Sequence, residues 1–439
     1  MWKKYMTMAL AGVLAISVTG CSLLGSLSGS TEIETDAAAA ATEAAVVQTS
    51  YELPAETAET TQAAGSAQSS GDTAVTLDNL VSGGALDTSD LFSTRDLTQT
   101  ADLSEAVTLT LTSGQDVTVS TEGVYVLSGS VTNVTVIVEA GDEDKVQLVL
   151  DGVSITNDER PAIYVKNADK VFITTTDSEN SLSVTGSFTA DGTTNTDAVI
   201  FSRDDLVLGG VGTLNISSTD NGISGKDDVK LTGGSVSISS VSDGIEANES
   251  ICIAGGNLTI SAQKDGLHAE NDEDNSTGFV YICGGSLSVK AGDDGIHATT
   301  IVQIDGGSID LTAAEGIEAT WVQLNDGSVT IAASDDGING ARKSSVYTPT
   351  VEICGGSLTI TMGQGDTDAV DSNGNLIITG GTIDITGQSP FDYDGSVSYT
   401  GGTIIVNGQE VNQITNQMMG GGMGGMNGGM GGFGGGRRP

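Results

Sequence analysis

The sequence predicts an all-β protein folded as a parallel β-helix with about 21–22 residues per turn. One phrase, illustrated by Asp243-Gly244-Ile245-Glu246-Ala247, recurs through residues 220–340. Each copy precedes a Val-x-Ile-x-Gly-Gly-Ser-Leu type of phrase, whose second glycine recurs at 234, 256, 285, 307, 327, 356, 381 and 402. Leucine-rich repeats share this length, but their asparagine-containing leucine frame is absent, and β-propeller blades are longer.

Alternation within each repeat predicts which side chains enter the core, because neighbouring residues of a strand face opposite sides. The predicted core residues of two successive turns are Val280, Ile282, Leu287 and Val289, then Val302, Ile304, Ile309 and Leu311. The Gly-Gly pairs supply the backbone angles of a tight corner. Residues 106–190 also alternate but less regularly, which is typical of the capping end of a repeat array.

The regions flanking the repeats have different compositions. Residues 1–21 carry Lys3 and Lys4, a short apolar run, and a Val-Thr-Gly-Cys sequence that resembles a bacterial lipobox. We expect a lipoprotein signal peptide, lipidation at Cys21, and anchoring on the extracellular face of the bacterial cell membrane. Residues 22–100 are predicted to be a disordered tether, residues 101–411 the β-helix, and residues 412–439 a disordered Gly/Met-rich tail.

The net charge and the cysteine positions indicate which partners the protein can bind and whether it contains disulfides. The formal net charge is −42, which argues against nucleic acid or an anionic membrane surface as a direct partner and suits cation binding. The cysteines at 252, 283 and 354 fall on outward strand positions with spacings too wide for a disulfide, so none is predicted.

The acidic residue before each Gly-Ile forms the first candidate column, called here the aspartate column. Stacked carboxylates about 4.8 Å apart repel unless a cation neutralises them, and calcium with its 2.3–2.6 Å bonds fits between adjacent turns. Aspartate before glycine is also an ordinary turn former, so a purely structural role stays open for any one member. Its members are Asn221, Asp243, Asp265, Asp294, Glu315, Asp336 and Asp368, with Asp220, Asp293 and Asp335 doubling it on three turns.

Three residues later lies a second outward column, called here the histidine column, which holds both histidines of the chain. Imidazole with carboxylate suits a zinc-like site or a sugar-binding face, and a solvated polar stack stays open as the alternative. Trp321 lies near it and is either a sugar-stacking surface or corner packing. The column comprises Ser224, Glu246, His268, His297, Glu318, Asn339 and Asp371.

These phrases together resemble the bacterial calcium-binding, carbohydrate-binding β-helix family of cell-surface proteins, over about residues 105–410. The stretch Lys145–Val153 and the Ala168-Asp169-Lys170-Val171 phrase contribute to the resemblance. It implies a right-handed, single-stranded helix with bound calcium and affinity for acidic plant cell-wall polysaccharide such as polygalacturonate. More remotely the chain resembles family 9 polysaccharide lyases, in which calcium works with a lysine base. Asn221 and Glu315 depart from the aspartate pattern on their turns.

Three functions follow as hypotheses. The first is a non-catalytic surface lipoprotein that binds acidic polysaccharide through calcium held by the aspartate column. The second is a calcium-dependent pectate lyase, in which Lys264 is the one candidate for the lysine base. The third is a structural or adhesive stalk in which calcium only stabilises the fold. No nucleophile motif, phosphate loop or CxxC metal motif is present in the sequence.

Overall fold

The computed structural model describes residues 84–364 and 367–416. The signal segment with Cys21, tether residues 22–83 and tail residues 417–439 lie outside the described residues. Every regular element within those ranges is a β-strand, which confirms the all-β class. In this part of the chain no helix is long and apolar enough to cross a membrane.

The 34 strands follow three tracks along the molecule. The first track contains β1 Val107–Thr110, β3 Gly123–Thr132, β5 Lys145–Asn157, β7 Lys170–Thr175, β10 Asp205–Gly210, β13 Asp228–Leu231, β16 Ser250–Ile253, β19 Phe279–Ile282, β26 Thr350–Ile353, β29 Asn375–Ile378 and β32 Val397–Tyr399. The second contains β2 Val117–Val119, β4 Val136–Glu139, β6 Ile163–Asn167, β9 Ala198–Ser202, β12 Asn221–Gly225, β15 Ile245–Ala247, β18 Leu267–Ala269, β21 Asp294–Ile304, β23 Glu315–Leu324, β25 Ile338–Gly340, β28 Val370–Ser372 and β31 Asp392–Tyr393. The third contains β8 Glu179–Val184, β11 Thr213–Ser217, β14 Ser235–Ser240, β17 Asn257–Ala262, β20 Ser286–Lys290, β22 Ser308–Ala313, β24 Ser328–Ala333, β27 Ser357–Met362, β30 Thr382–Thr386, β33 Thr403–Val406 and β34 Gln409–Val411.

Strands of one track pair in parallel with the strand about one repeat further along the chain. Ile245 of β15 pairs with Leu267 of β18, and Leu267 pairs in turn with Ile296 of β21. Strands β21 and β23 are long enough to continue from the second track into the first. Among the described strands only β33 and β34 pair antiparallel, as a closing hairpin. The arrangement is therefore a mostly parallel, solenoid-like sheet.

The core lies between the tracks and consists of stacked aliphatic side chains. All eight core residues predicted from alternation are confirmed as buried, with exposures of 0–3%. Each aliphatic residue stacks on its equivalent one turn away, such as Leu287 on Ile309. Slender side chains fill this interior because each layer is only one strand spacing thick.

Glycine recurs at two positions of each repeat, and a different physical reason requires it at each position. The second glycine of each Gly-Gly pair has a positive φ, for example 82° at Gly285, as the corner prediction required. The glycine after each column aspartate is required by close packing instead. A Cβ on Gly244 would lie 2.6 Å from the carbonyl oxygen of Gly266 and 2.5 Å from Cγ2 of Ile260. Adjacent turns therefore leave no room for a side chain there.

The predicted tether boundary at residue 100 is wrong, because residues 84–100 pack on the outer side of the first track. We call this segment the N-terminal strap. Phe92 is 3% exposed and contacts a cluster with Cys252 and Tyr281, its ring centroid 6.4 Å from that of Tyr281. Gln99 donates to the Thr232 carbonyl at 3.0 Å. The outward cysteine positions were predicted correctly, yet the strap buries Cys252 completely.

Candidate functional site

The aspartate column forms a hydrogen-bonded ladder between turns. On three turns, one carboxylate oxygen of the column residue accepts the backbone N–H of the equivalent residue on the next turn. Asp243 Oδ1 accepts from Asp265 N at 3.0 Å, Asp265 Oδ1 from Asp294 N at 2.9 Å, and Asp336 Oδ1 from Asp368 N at 3.1 Å. The structural role of these residues is therefore to join turns. It is not the local turn capping that the sequence left open.

The ladder is interrupted at Glu315, as the departure from the aspartate pattern indicated. Its longer side chain instead accepts a hydrogen bond from Asn339 Nδ2 at 3.0 Å. Burial, together with the charges of Glu318, Asp294 and Asp336, raises the pKa of Glu315 to about 7. This turn consequently holds a carboxyl group that is easily protonated near neutral pH.

The histidine column is confirmed by the strand register. Ser224, Glu246, His268, His297, Glu318, Asn339 and Asp371 are successive partners along the second track. The two imidazole rings stack with centroids 4.8 Å apart. The column places two adjacent histidines, flanked by Glu246 and Glu318, directly beside the aspartate column.

Each histidine contacts the aspartate three residues before it. His268 Nδ1 lies 2.9 Å from Asp265 Oδ2, and His297 Nδ1 lies 2.8 Å from Asp294 Oδ2. Burial lowers the pKa of an imidazole, but contacts with Asp243, Asp265 and Glu270 outweigh it and raise the pKa of His268 to about 11. Burial also lowers the pKa of His297, but its contacts with Asp294 and Glu318 outweigh burial and raise that pKa to about 9. The acidic neighbours therefore favour the protonated form of both imidazoles.

Lysines neutralise the acids on either side of the two histidines. Lys226 Nζ lies 3.1 Å from Glu246 Oε1, and Lys343 Nζ lies 2.7 Å from Glu318 Oε2. Burial raises the pKa of Glu318, but the contacts with His297 and Lys343 outweigh burial and hold it below its usual value. These pairs offset part of the negative charge of the central turns.

The C-terminal end of the two columns has a different charge. Within the described residues no cationic side chain forms an ion pair with Asp336, Asp371 or Asp392. Burial, followed by the charges of Asp336 and its acidic neighbours, raises the pKa of Asp371 to about 7. Burial also raises the pKa of Asp336 to about 6, although the backbone bond from Asp368 opposes it. This end is an uncompensated carboxylate cluster.

The doubling aspartates do not join the columns as expected. Asp293 and Asp335 are exposed, whereas Asp294 is buried and Asp336 half-buried. Neither exposed residue belongs to a group of three or more possible metal ligands whose ligand atoms lie within 4.8 Å of one another. Asp243, Asp265 and Asp294 each belong to such a group. Asp220 is half-buried and lines an open cleft at the N-terminal side of the columns.

That cleft has a volume of about 710 Å³. Exposed Lys264 lies on its wall and makes no ion pair among the described residues. The cleft is lined by Asp220, Asn221, Asp243, Glu246, Lys264 and His268, among others. It presents both acidic and basic side chains to solvent.

Trp321 lies outside this cleft lining. It is half-buried, and Tyr347 of the insertion at 342–349 packs edge-on against it with ring centroids 6.2 Å apart. Its indole Nε1 is buried without a hydrogen-bond partner. These contacts favour the corner-packing interpretation of Trp321.

Two residues that contact the histidine column lie beside or within insertions into the repeats. Glu270, just before the insertion at 271–278, lies 3.0 Å from His268 Nε2, and Lys343 belongs to the other insertion. The insertions touch each other, since Ser344 Oγ donates to the Asn275 carbonyl at 2.6 Å. The sequence reasoning missed Glu270, although it follows His268 by only two residues.

Comparison with known proteins gives three likenesses. The family described as carbohydrate-binding domain-containing protein matches residues 113–366. A carbohydrate-binding domain-containing protein of Acetivibrio thermocellus is 36% identical over 129 residues, which is 28% of this chain and 44% of that relative. The chain therefore spans less than half the length of this curated relative. A gadolinium-derivative structure described as the polysaccharide lyase-like protein from C. thermocellum is 32% identical, with a TM-score of 0.43, covering 50% of this chain and 89% of the other.

Proposed function

This chain belongs to the carbohydrate-binding domain-containing protein family, and from this premise we propose that it binds acidic polysaccharide without cleaving it. The aspartate and histidine columns form the binding face, and calcium is the bridging ion. The strands wind as a right-handed, single-stranded β-helix, so that both columns run along one side of the protein. We propose polygalacturonate as the representative ligand.

The observation that carries the proposal is the division of charge along this face. The central turns present cationic groups, namely His268 and Lys264, to the cleft. The C-terminal turns present carboxylates of Asp336, Asp371 and Asp392 without a cationic partner in the described part of the chain. A uronate chain needs cations along its whole length, because a protein of net charge −42 otherwise repels it. Side-chain cations attract the uronate chain at the central turns, and calcium bridges it to the carboxylates of the C-terminal turns.

Calcium suits the C-terminal turns because their donors are all oxygens. It takes six to eight oxygen ligands at about 2.3–2.6 Å, some of which a sugar carboxylate supplies. Asp336 Oδ1 already accepts a backbone bond, and its other oxygen remains for the ion. On the central turns the free oxygens of Asp265 and Asp294 face imidazoles instead. We therefore place calcium first at Asp336 and Asp368.

Affinity electrophoresis through a polygalacturonate gel tests this function. We expect calcium to retard the full chain and a chelator to abolish the retardation. Asp336→Asn keeps the Oδ1 acceptor but removes the charge, so it should weaken calcium-dependent retardation by roughly tenfold. Asp310→Asn changes an exposed acid on β22 and serves as the matched control. Equal retardation with and without chelator would contradict the calcium bridge.

The lyase alternative is retained because Lys264 faces the cleft without an ionic partner among the described residues. A lysine near acidic sugar is in the right place to take a proton from the carbon beside the carboxylate. Absorbance of unsaturated products, measured with calcium at alkaline pH, separates the two functions. Sustained product formation that Lys264→Ala eliminates would replace binding with catalysis. A glycan array with no calcium-dependent signal would instead favour the adhesive-stalk hypothesis.

We further propose that Cys21 is lipidated and holds the protein on the extracellular face of the cell membrane through residues 22–83. The interpretation rests on the lipobox-like sequence before Cys21. Cys21→Ala should move the protein from the membrane fraction to the medium. Unchanged membrane association of the variant would refute the anchor.

A further inference from the structure

The two histidines and Glu270 form a cluster with nitrogen donors, unlike the carboxylate turns around it. His268 Nε2 lies 3.0 Å from Glu270 Oε2, and His297 Nε2 lies 3.9 Å from the same oxygen. One ligand atom from each residue lies within 4.8 Å of the other two. All three atoms therefore face one small volume between adjacent turns.

One atom of this cluster has no partner. His297 is 7% exposed, and its Nε2 is buried without any hydrogen bond. A buried polar nitrogen without a partner is rare in folded proteins and calls for an explanation, one of which is a bound ion. The atom faces Glu270 and His268, which themselves offer a carboxylate and an imidazole. The neighbourhood matches the donors of a transition metal.

The opposite ring nitrogens lie beside carboxylates of the aspartate column. Nδ1 of His297 hydrogen-bonds with Asp294 Oδ2 at 2.8 Å, whereas Nδ1 of His268 lies 2.9 Å from Asp265 Oδ2 without hydrogen-bond geometry. Metal-ligating histidines almost always have a carboxylate or carbonyl at the second nitrogen, because it fixes the ring and its tautomer. Both rings are thus oriented with Nε2 toward the shared volume.

We propose that His268, His297 and Glu270 bind one zinc-like divalent metal ion, separate from the calcium that the aspartate column holds. Ligands of tetrahedral zinc with bonds of about 2.0–2.2 Å lie roughly 3.3 Å apart, and the two spacings to Glu270 Oε2 bracket this value. The Glu270 side chain is 43% exposed, so the ion has a path from solvent and a fourth position for water. Imidazole nitrogen selects zinc, copper or nickel over calcium, which prefers oxygen.

Zinc titration of the full chain, stripped of metal with a chelator, tests the proposal. The sequence has only two histidines, so their imidazole NMR signals report on the site directly. We expect one zinc ion per chain, a shift of both imidazole signals, and no displacement by a large excess of calcium. Cobalt in place of zinc should give the visible spectrum of a tetrahedral site.

Three variants separate this site from general binding to an acidic surface. His297→Gln should weaken zinc binding by about 100-fold or more, and Glu270→Gln, which is exposed and cannot disturb the core, by at least about tenfold. Asp294→Asn, a positioning change, should weaken it by about 10–100-fold. Asp310→Asn should leave binding unchanged. The proposal is overturned if His297→Gln and Glu270→Gln both bind zinc like the parent chain, or if calcium displaces the zinc.

Discussion

Replacing Asp371 by asparagine should stabilise the fold at alkaline pH. Asp371 lies in β28, between Asn339 and Asp392 in the register of the second track. Burial and the charges of Asp336, Asp392, Asp368 and Asp394 together raise its pKa from 3.8 to about 7. Asparagine has nearly the same shape and carries no charge, so the variant removes the repulsion and little else.

The sign follows from proton linkage. The folded protein holds a proton on Asp371 up to about pH 7, whereas the unfolded chain loses it near 3.8. The folded state of the parent therefore binds more protons in this window, and its stability falls as pH rises from about 4 to 7. A shift of about three pKa units corresponds to at most about 4 kcal/mol. Because the side chain is only half-buried, solvent screening reduces our expectation to about 2 kcal/mol.

Urea unfolding in the presence of a chelator measures this effect. We expect Asp371→Asn to raise the free energy of unfolding by about 2 kcal/mol at pH 8 and by about 0.5 kcal/mol or less at pH 4. Asp310→Asn, at an exposed position on β22, should show no such pH dependence. An Asp371→Asn variant that is equally stabilised at both pH values, or not at all, refutes the electrostatic reasoning. Calcium should reduce the difference between the parent and the variant if it binds at these turns.

Two further predictions concern packing. Gly244→Ala should lower the thermal midpoint and cost about 1–3 kcal/mol, because its Cβ would lie 2.6 Å from the Gly266 carbonyl oxygen. Ser237→Ala, at an exposed position of β14, controls for an effect of alanine itself. Thermal unfolding measures both, and an unchanged midpoint for Gly244→Ala would show that the turns can move apart. Phe92→Ala should loosen the N-terminal strap and expose Cys252, which is buried and whose pKa burial raises to about 12. Alkylation followed by mass spectrometry should then label Cys252 at least about tenfold faster than in the parent chain, because a thiol reacts only when it is exposed and deprotonated. Equal labelling rates would mean that the strap does not protect Cys252.

The sequence by itself determined the repeat, the strand alternation and the two polar columns. A solenoid-like fold stacks equivalent residues at one strand spacing, so an alignment of repeats is also a map of contacts. That is why the core residues such as Ile304 and the register from Glu246 to Asp371 follow from the printed chain alone. The positive φ of Gly285 follows for the same reason, since each turn needs the same corner.

The tertiary structure decided what periodicity does not encode. The N-terminal strap packs far from its position in the chain, with Gln99 bonded to Thr232, and no repeat predicts that contact. Glu270, just before one insertion, and Lys343, within the other, reach the histidine column, and the two insertions contact each other at Ser344 and Asn275. The sequence placed both histidines on neighbouring turns. Only the folded chain aims the Nε2 atoms of both rings at the carboxylate of Glu270, because the opposite side of each ring lies against the aspartate column.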